Sequence, residues 1–310
     1  MPRLQNKKFI VVAGKGGVGR TTVAFVLAHW VASQGKKVLL CLAHSGSRYR
    51  HMLGNREYSG IHEFGPNLYL LNIDPVAARE EYALKIIKNR LLHKLVFSNK
   101  YVNSFLDAVP GLSEWAMLGK ATYHALDDAE EHERYDTVIF DSPPTGHGLD
   151  ILRLPNAIAQ SVQGGRMRQD ALLRVALLKD ASATAIIPVC LPEELPTNET
   201  IELARDLRRN GLPLYCAVIN KVTETLPQRV QQYCKHLSPA EAKHINWARP
   251  SLIRRDQREE QLHHIQRLHT FLHAPLLQLP RLDNANLSQS DILTLVSNFD
   301  AQLSTHFTQI

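Results

Sequence analysis

Short apolar runs punctuate this chain at intervals. KFIVVA (8–13) is continuous, rich in β-branched residues and the length of a buried strand. TTVAFVLAHWVASQG (21–35) is apolar on most faces and closed by Gly35, which predicts a buried helix. KKVLLCLA (36–43) predicts a second buried strand, and DTVIFD (136–141) another that ends in a carboxylate. Longer patterns such as ALKIIKNRLLHKLVF, NSFLDAV and QDALLRVALLK read as helices, and place helical insertions at approximately 76–133 and 156–182 of a single 1–310 domain. Near the C-terminus Ile292, Val296, Phe299, Leu303, Phe307 and Ile310 recur at helical spacing. The buried runs suit seven or eight strands. Together they predict an α/β fold: a doubly wound, mostly parallel sheet with helices on both faces, its ligand at the C-terminal ends of the strands.

Composition narrows the surroundings more than the chemistry. The 310 residues are 44% hydrophobic and 21% charged, enough apolar content for a sizeable core. No apolar run reaches the ~18 residues of a membrane span. MPRLQNKKFI is too short and too polar for a signal peptide. The four cysteines, Cys41, Cys190, Cys216 and Cys234, form no C-x-x-C pair, so buried free thiols and a cytoplasmic location are expected. The net charge of +6 is spread through mixed runs such as RRDQREE, which predicts a solvated surface and no nucleic-acid partner. LHHIQRLHTFLH carries His263, His264, His269 and His273 with no carboxylate or cysteine on the same face, so it reads as a solvated helix face and not a metal site.

The chemistry is concentrated in VVAGKGGVGRTTVAF (11–25). Gly14 and Gly19 have the spacing of a phosphate-binding loop, and Thr21 and Thr22 follow. The loop lies between a strand and a helix, where backbone N–H groups converge at the positive end of the helix dipole. Arg20 stands where such loops carry a lysine, and a lysine occurs earlier, at Lys15. Asp141, at the end of its strand, is placed to hold a magnesium ion or its water.

GKGGVGRTT resembles the deviant Walker A loop of P-loop NTPases of the ArsA and MinD class. DSPPTGHGL (141–149) resembles the switch II segment of the ArsA family, which includes arsenite-pump and tail-anchored-protein-targeting ATPases. LYLLNIDP, PGLSEWAMLGK, VCLPEELPTNETIELARDL, LPLYCAVINK and APLLQLPRL resemble further segments of that family, so the likeness covers nearly the whole chain as a single ATPase half. It implies ATP or ADP with Mg²⁺ as ligands, bound by Gly14, Lys15, Gly16, Gly17, Val18, Gly19, Arg20, Thr21 and Thr22. Thr21 and Asp141 would hold the metal. Asn220 would bond the adenine, and Pro280 and Arg281 would belong to the loop that covers the base. Lys15 would reach a nucleotide held by a second subunit, which implies a dimer. The helical insertion would couple nucleotide state to a protein client.

Three departures qualify that expectation. Arg20 keeps the loop charge, but a planar guanidinium does not reproduce a compact ammonium over the phosphates. His44 aligns where the family has a water-orienting aspartate; an alternative alignment puts Cys41 there, and the carboxylate is missing in both. The chain has four methionines (Met1, Met52, Met117, Met167) and no clustered cysteines, so neither a methionine-lined client groove nor a soft-metalloid site is expected. The C-terminal helix has no Lys or Arg after Arg281 and is expected to pack on its own sheet, not to anchor in a membrane. The sequence therefore predicts a dimeric ATPase, slow because Arg20 and His44 replace the usual groups, with Lys15, Arg20, His44 and Asp141 as its chemical residues. The alternative is a pseudo-ATPase that regulates an intact ArsA-like paralogue by forming a heterodimer with it.

Overall fold

The structure, a computed structural model, describes residues 3–43, 60–86, 109, 111–126, 134–143, 149–236, 247–284 and 286–307. Eight strands form one sheet: β1 (Phe9–Ala13), β2 (Val38–Ala43), β3 (Ile61–Gly65), β4 (Leu68–Ile73), β5 (Thr137–Asp141), β6 (Thr184–Cys190), β7 (Ala217–Val222) and β8 (Leu276–Pro280). Their order is β3-β4-β2-β5-β1-β6-β7-β8, with every pairing parallel except β3 with β4. The expected doubly wound α/β sheet is present. β1, β2, β5 and β6 are buried along their whole length, as their continuous apolar runs require.

β3 was not anticipated. It is an edge strand with partial exposure throughout, so it carries no continuous apolar run. Its hairpin to β4 is closed at Asn67, which adopts φ 59°, a left-handed conformation asparagine tolerates.

Nine α-helices occur among the described residues: α1 (Arg20–Ser33), α2 (Pro75–Ile86), α3 (Leu112–Tyr123), α4 (Asp150–Ser161), α5 (Gly165–Lys179), α6 (Glu194–Arg209), α7 (Gln228–His236), α8 (Ala248–Leu272) and α9 (Gln289–Phe307). α1 is buried nearly all round because it lies between the sheet and α9. Trp30 of α1 stacks edge-on against Phe299 of α9 at 5.8 Å and donates its indole N–H to Asp300 at 2.8 Å. Ile292, Leu295, Phe299 and Leu303 bury the apolar stripe of α9, so this helix packs on α1 and β8 as its charge pattern predicts. The side chain of Phe307, and Ile310, lie outside the described residues.

On the opposite face, Trp115, Met117 and Leu118 of α3, Leu152 of α4 and Leu178 of α5 join one core with Phe9, Val11, Leu39 and Phe140 of the sheet. α4 begins at Asp150, six residues before the helical stretch read from sequence, and runs through Pro155.

Candidate nucleotide site

The site lies where β1 gives way to α1. Val12 of β1 is in register with Asp141 of β5, which sets that carboxylate level with the start of the loop. Gly14 has φ 144°, and a Cβ there would stand 2.6 Å from the Val189 carbonyl oxygen. Gly19 has φ 92°, and a Cβ would stand 2.1 Å from Asn220 Nδ2. At both positions only glycine fits without displacing a neighbour. Val18 is buried and fixes the loop to the core, whereas Lys15, Gly16 and Gly17 are exposed.

No side chain caps α1 at Gly19, and Val23 N–H makes a helical bond to Gly19 O at 3.1 Å. The first turn therefore directs backbone donors toward the loop, the arrangement that accepts phosphate oxygens.

Beneath this turn, Thr21 donates its hydroxyl proton to Asp141 Oδ2. The other oxygen, Oδ1, is buried and has no hydrogen-bond partner. Burial pushes the Asp141 carboxyl up to about 6; the Thr21 hydrogen bond and the Arg20 charge pull against that rise. An orphan carboxylate oxygen beside a threonine hydroxyl is a hard-oxygen donor set, which fits Mg²⁺.

The two cations of the loop are engaged by this chain's own groups. Arg20 Nη1 donates to the carbonyl oxygens of Ser142 at 2.7 Å and Pro143 at 2.9 Å. Its guanidinium thus ties the loop to the segment that follows β5. Lys15 pairs with Glu199 of α6. Its charge has a partner within the chain, so the lysine by itself no longer demands a second subunit.

Asn220 is buried beside the loop. Its Nδ2 donates to Val18 O at 2.9 Å and its Oδ1 accepts from Lys221 N–H at 2.9 Å. The amide expected to face adenine holds the loop backbone here. Pro280 is in register with Val222, and Arg281 N–H donates to Val222 O at 2.9 Å, so Pro280 and Arg281 reach the same end of the sheet as Asn220. Thr22 lies half-buried in the first turn of α1.

His44 follows the last residue of β2 and lies outside the described residues, as do positions 144–148 of the switch-like segment. Cys41, Cys190 and Cys216 are buried free thiols, and burial pushes the last two up to about 11 and about 12. No group of three His, Cys, Asp or Glu able to hold a metal occurs among the described residues. His264 is buried, unlike the solvated face expected for its segment, because that turn of α8 packs inward. Sequence reasoning missed Glu199 and the carbonyls of Ser142 and Pro143. No local spacing marks them; α6 comes near the loop because β6 lies directly beside β1.

A family model described as Anion-transporting ATPase matches residues 7–174. The chain belongs to the ArsA ATPase family. The match includes the loop, Asp141 and the segment after it, and the sheet that carries them is the α/β architecture expected of ArsA proteins. Among similar proteins, "ATPase ASNA1 homolog 1" of Paramecium tetraurelia is 29% identical over 260 residues, 70% of this chain and 76% of that protein. "Arsenical pump-driving ATPase" of Escherichia coli is 29% identical over 241 residues, 72% of this chain and 41% of that protein. "ATPase BagA" of Mycobacterium tuberculosis is 29% identical over 226 residues, 71% of this chain and 66% of that protein.

Proposed function

We propose that this chain is an ATP-binding, slowly ATP-hydrolysing member of the ArsA family that works as a dimer in the cytoplasm. The observation that carries the reading is the Thr21–Asp141 pair with its orphan Oδ1, set under an uncapped helix N-terminus. The family match and the ATPase names of its relatives support it.

Loop N–H groups from Gly14 to Thr22 receive the phosphates. Thr21 and Asp141 would hold Mg²⁺, which would supply positive charge against the phosphate oxygens. Arg20 adds positive charge at the loop only after exchanging its carbonyl acceptors for phosphate oxygens. His44 orients the attacking water without supplying a carboxylate. Lys15, half-exposed at the loop's tip, turns toward the nucleotide of a second copy or of an ArsA-like paralogue once it leaves Glu199. Asn220, Pro280 and Arg281 border the base. The helical insertion expected at 76–133 and 156–182, of which 87–108, 110 and 127–133 lie outside the described residues, carries nucleotide state to a protein partner. The reading assigns no nucleic-acid partner and no stable membrane anchor: no helix among the described residues is long and apolar enough to cross a membrane, and α9 spends its apolar face on the core.

The Arg20 contacts favour a second reading, a nucleotide-binding regulatory subunit without turnover of its own. One experiment separates the two. Mg-ADP and Mg-ATP should raise the melting temperature of the pure chain, by mass action on the native state. Phosphate release should be slow, and the double change Arg20→Lys, His44→Asp should raise it about tenfold, or ~1.4 kcal/mol of barrier. Binding with no turnover in either protein selects the regulatory subunit. No thermal shift at millimolar nucleotide overturns both.

A further inference from the structure

Glu199 has no place in the nucleotide site read from sequence, yet it holds the loop's most exposed cation. Its Oε1 accepts from Lys15 Nζ, and the two side chains are 26% and 49% exposed. Its other oxygen, Oε2, is buried and has no hydrogen-bond partner. The pair joins elements that only the sheet order brings together, since α6 follows β6 and β6 adjoins β1. Lys15 is thus laid along its own chain's α6.

We propose that Glu199 is a positioning residue for Lys15, holding the ammonium in cis until the phosphates of a second subunit's nucleotide displace the carboxylate. The inference rests on the dimer reading above. Its consequence is quantitative. A competitor within the chain lowers the competent fraction of Lys15, and every association is weakened by that factor once for each lysine it uses, whichever nucleotide is bound. A half-exposed ion pair limits the factor to about fivefold. Loss of the pair should therefore tighten the ATP-bound and ADP-bound dimers equally, leaving the preference between them unchanged.

Two readouts on the full chain test this. The first is acylation of individual lysines by acetic anhydride, followed by peptide mass spectrometry on the monomer without nucleotide. Glu199→Gln should speed modification of Lys15 about fivefold and leave other lysines unchanged, while Glu199→Asp should fall between the two. The second is sedimentation with Mg-ADP and with a non-hydrolysable Mg-ATP analogue. Glu199→Gln should strengthen both associations by the same factor. On a Lys15→Ala background the same change should do nothing, because the effect passes through the lysine. Unchanged Lys15 acylation in Glu199→Gln overturns the inference and leaves the dimer reading intact. Faster acylation with no nucleotide-dependent association in any of the proteins overturns the dimer reading, and the exchange with it. Strengthening that persists without Lys15 also overturns the inference, since Glu199 would then act on the interface directly.

Discussion

At the scale of single residues, Asp141 sets the balance between stability and use. Its carboxyl rises from the ordinary 3.8 to about 6 because burial disfavours the charged form. The native state then binds more protons than the unfolded chain between those two values, so stability falls as pH rises through that window and does not recover above it. The shift corresponds to a cost on the order of 2–3 kcal/mol at neutral pH. Asp141→Asn keeps the shape and removes the charge. It should stabilise the nucleotide-free protein by about 1–3 kcal/mol at pH 8 and give no gain at pH 4. Urea unfolding at the two pH values measures this; equal stabilisation at both would mean that charge is not the cause. The same substitution should abolish the Mg²⁺-dependent part of nucleotide stabilisation, because the metal needs the ionised carboxylate.

At the scale of elements, the loop is held by an amide clamp. Gly19 and Gly17 have similar positive φ, 92° and 88°, but a Cβ on Gly17 meets nothing within 4 Å, whereas one on Gly19 meets Asn220 Nδ2 at 2.1 Å. Alanine at Gly17 should cost only backbone strain, about 1 kcal/mol, and alanine at Gly19 should cost more, about 2–4 kcal/mol, because it also forces the clamp open. Removing the obstacle with Asn220→Ala should recover part of the Gly19→Ala loss, which thermal unfolding of the double variant would reveal. A double variant no better than additive would put the cost in the backbone alone. Much of this element was legible beforehand. The apolar run of β1, the glycines of the turn and the buried character of α1 follow from local sequence, and so does Asp141 at a strand end. The clamp was not, since Asn220 lies 202 positions from its acceptor at Val18. Glu199 and the Arg20 contacts share that obscurity, because they depend on which strands become neighbours. β3 escaped notice for a different reason: an edge strand that is only partly covered, with Phe64 turned to Phe25 of α1, does not need the apolar run that betrays its buried neighbours. α4 starts at Asp150, ahead of the expected 156, and holds Pro155 within it, a residue that helix interiors disfavour.

At the scale of the whole molecule, the described helices that surround the switch-like segment have no core of their own. Trp115 of α3 is buried in the cluster that contains Phe9, Val11 and Phe140 of the sheet, edge-on to Tyr82 at 5.7 Å and 5.1 Å from the Arg174 guanidinium. A segment that shares its apolar contacts with β1 and β5 can shift against them, but it cannot detach without exposing the sheet. Nucleotide-linked motion of α3, α4 and α5 is therefore expected to be a small sliding of packed helices. Trp115→Ala should cost about 3–5 kcal/mol. Because the core is shared, that loss should appear on the far face of the sheet too, where Trp30 packs against Phe299. With Trp247→Phe as background, Trp30 becomes the only fluorophore of its kind in the Trp115→Ala protein. Its unfolding midpoint should fall together with the far-UV circular dichroism signal, in one cooperative transition. If circular dichroism shows an early loss of helix while Trp30 keeps the midpoint of the background protein, the helices form an independent unit, and a detached lobe replaces the sliding layer as the carrier of nucleotide state.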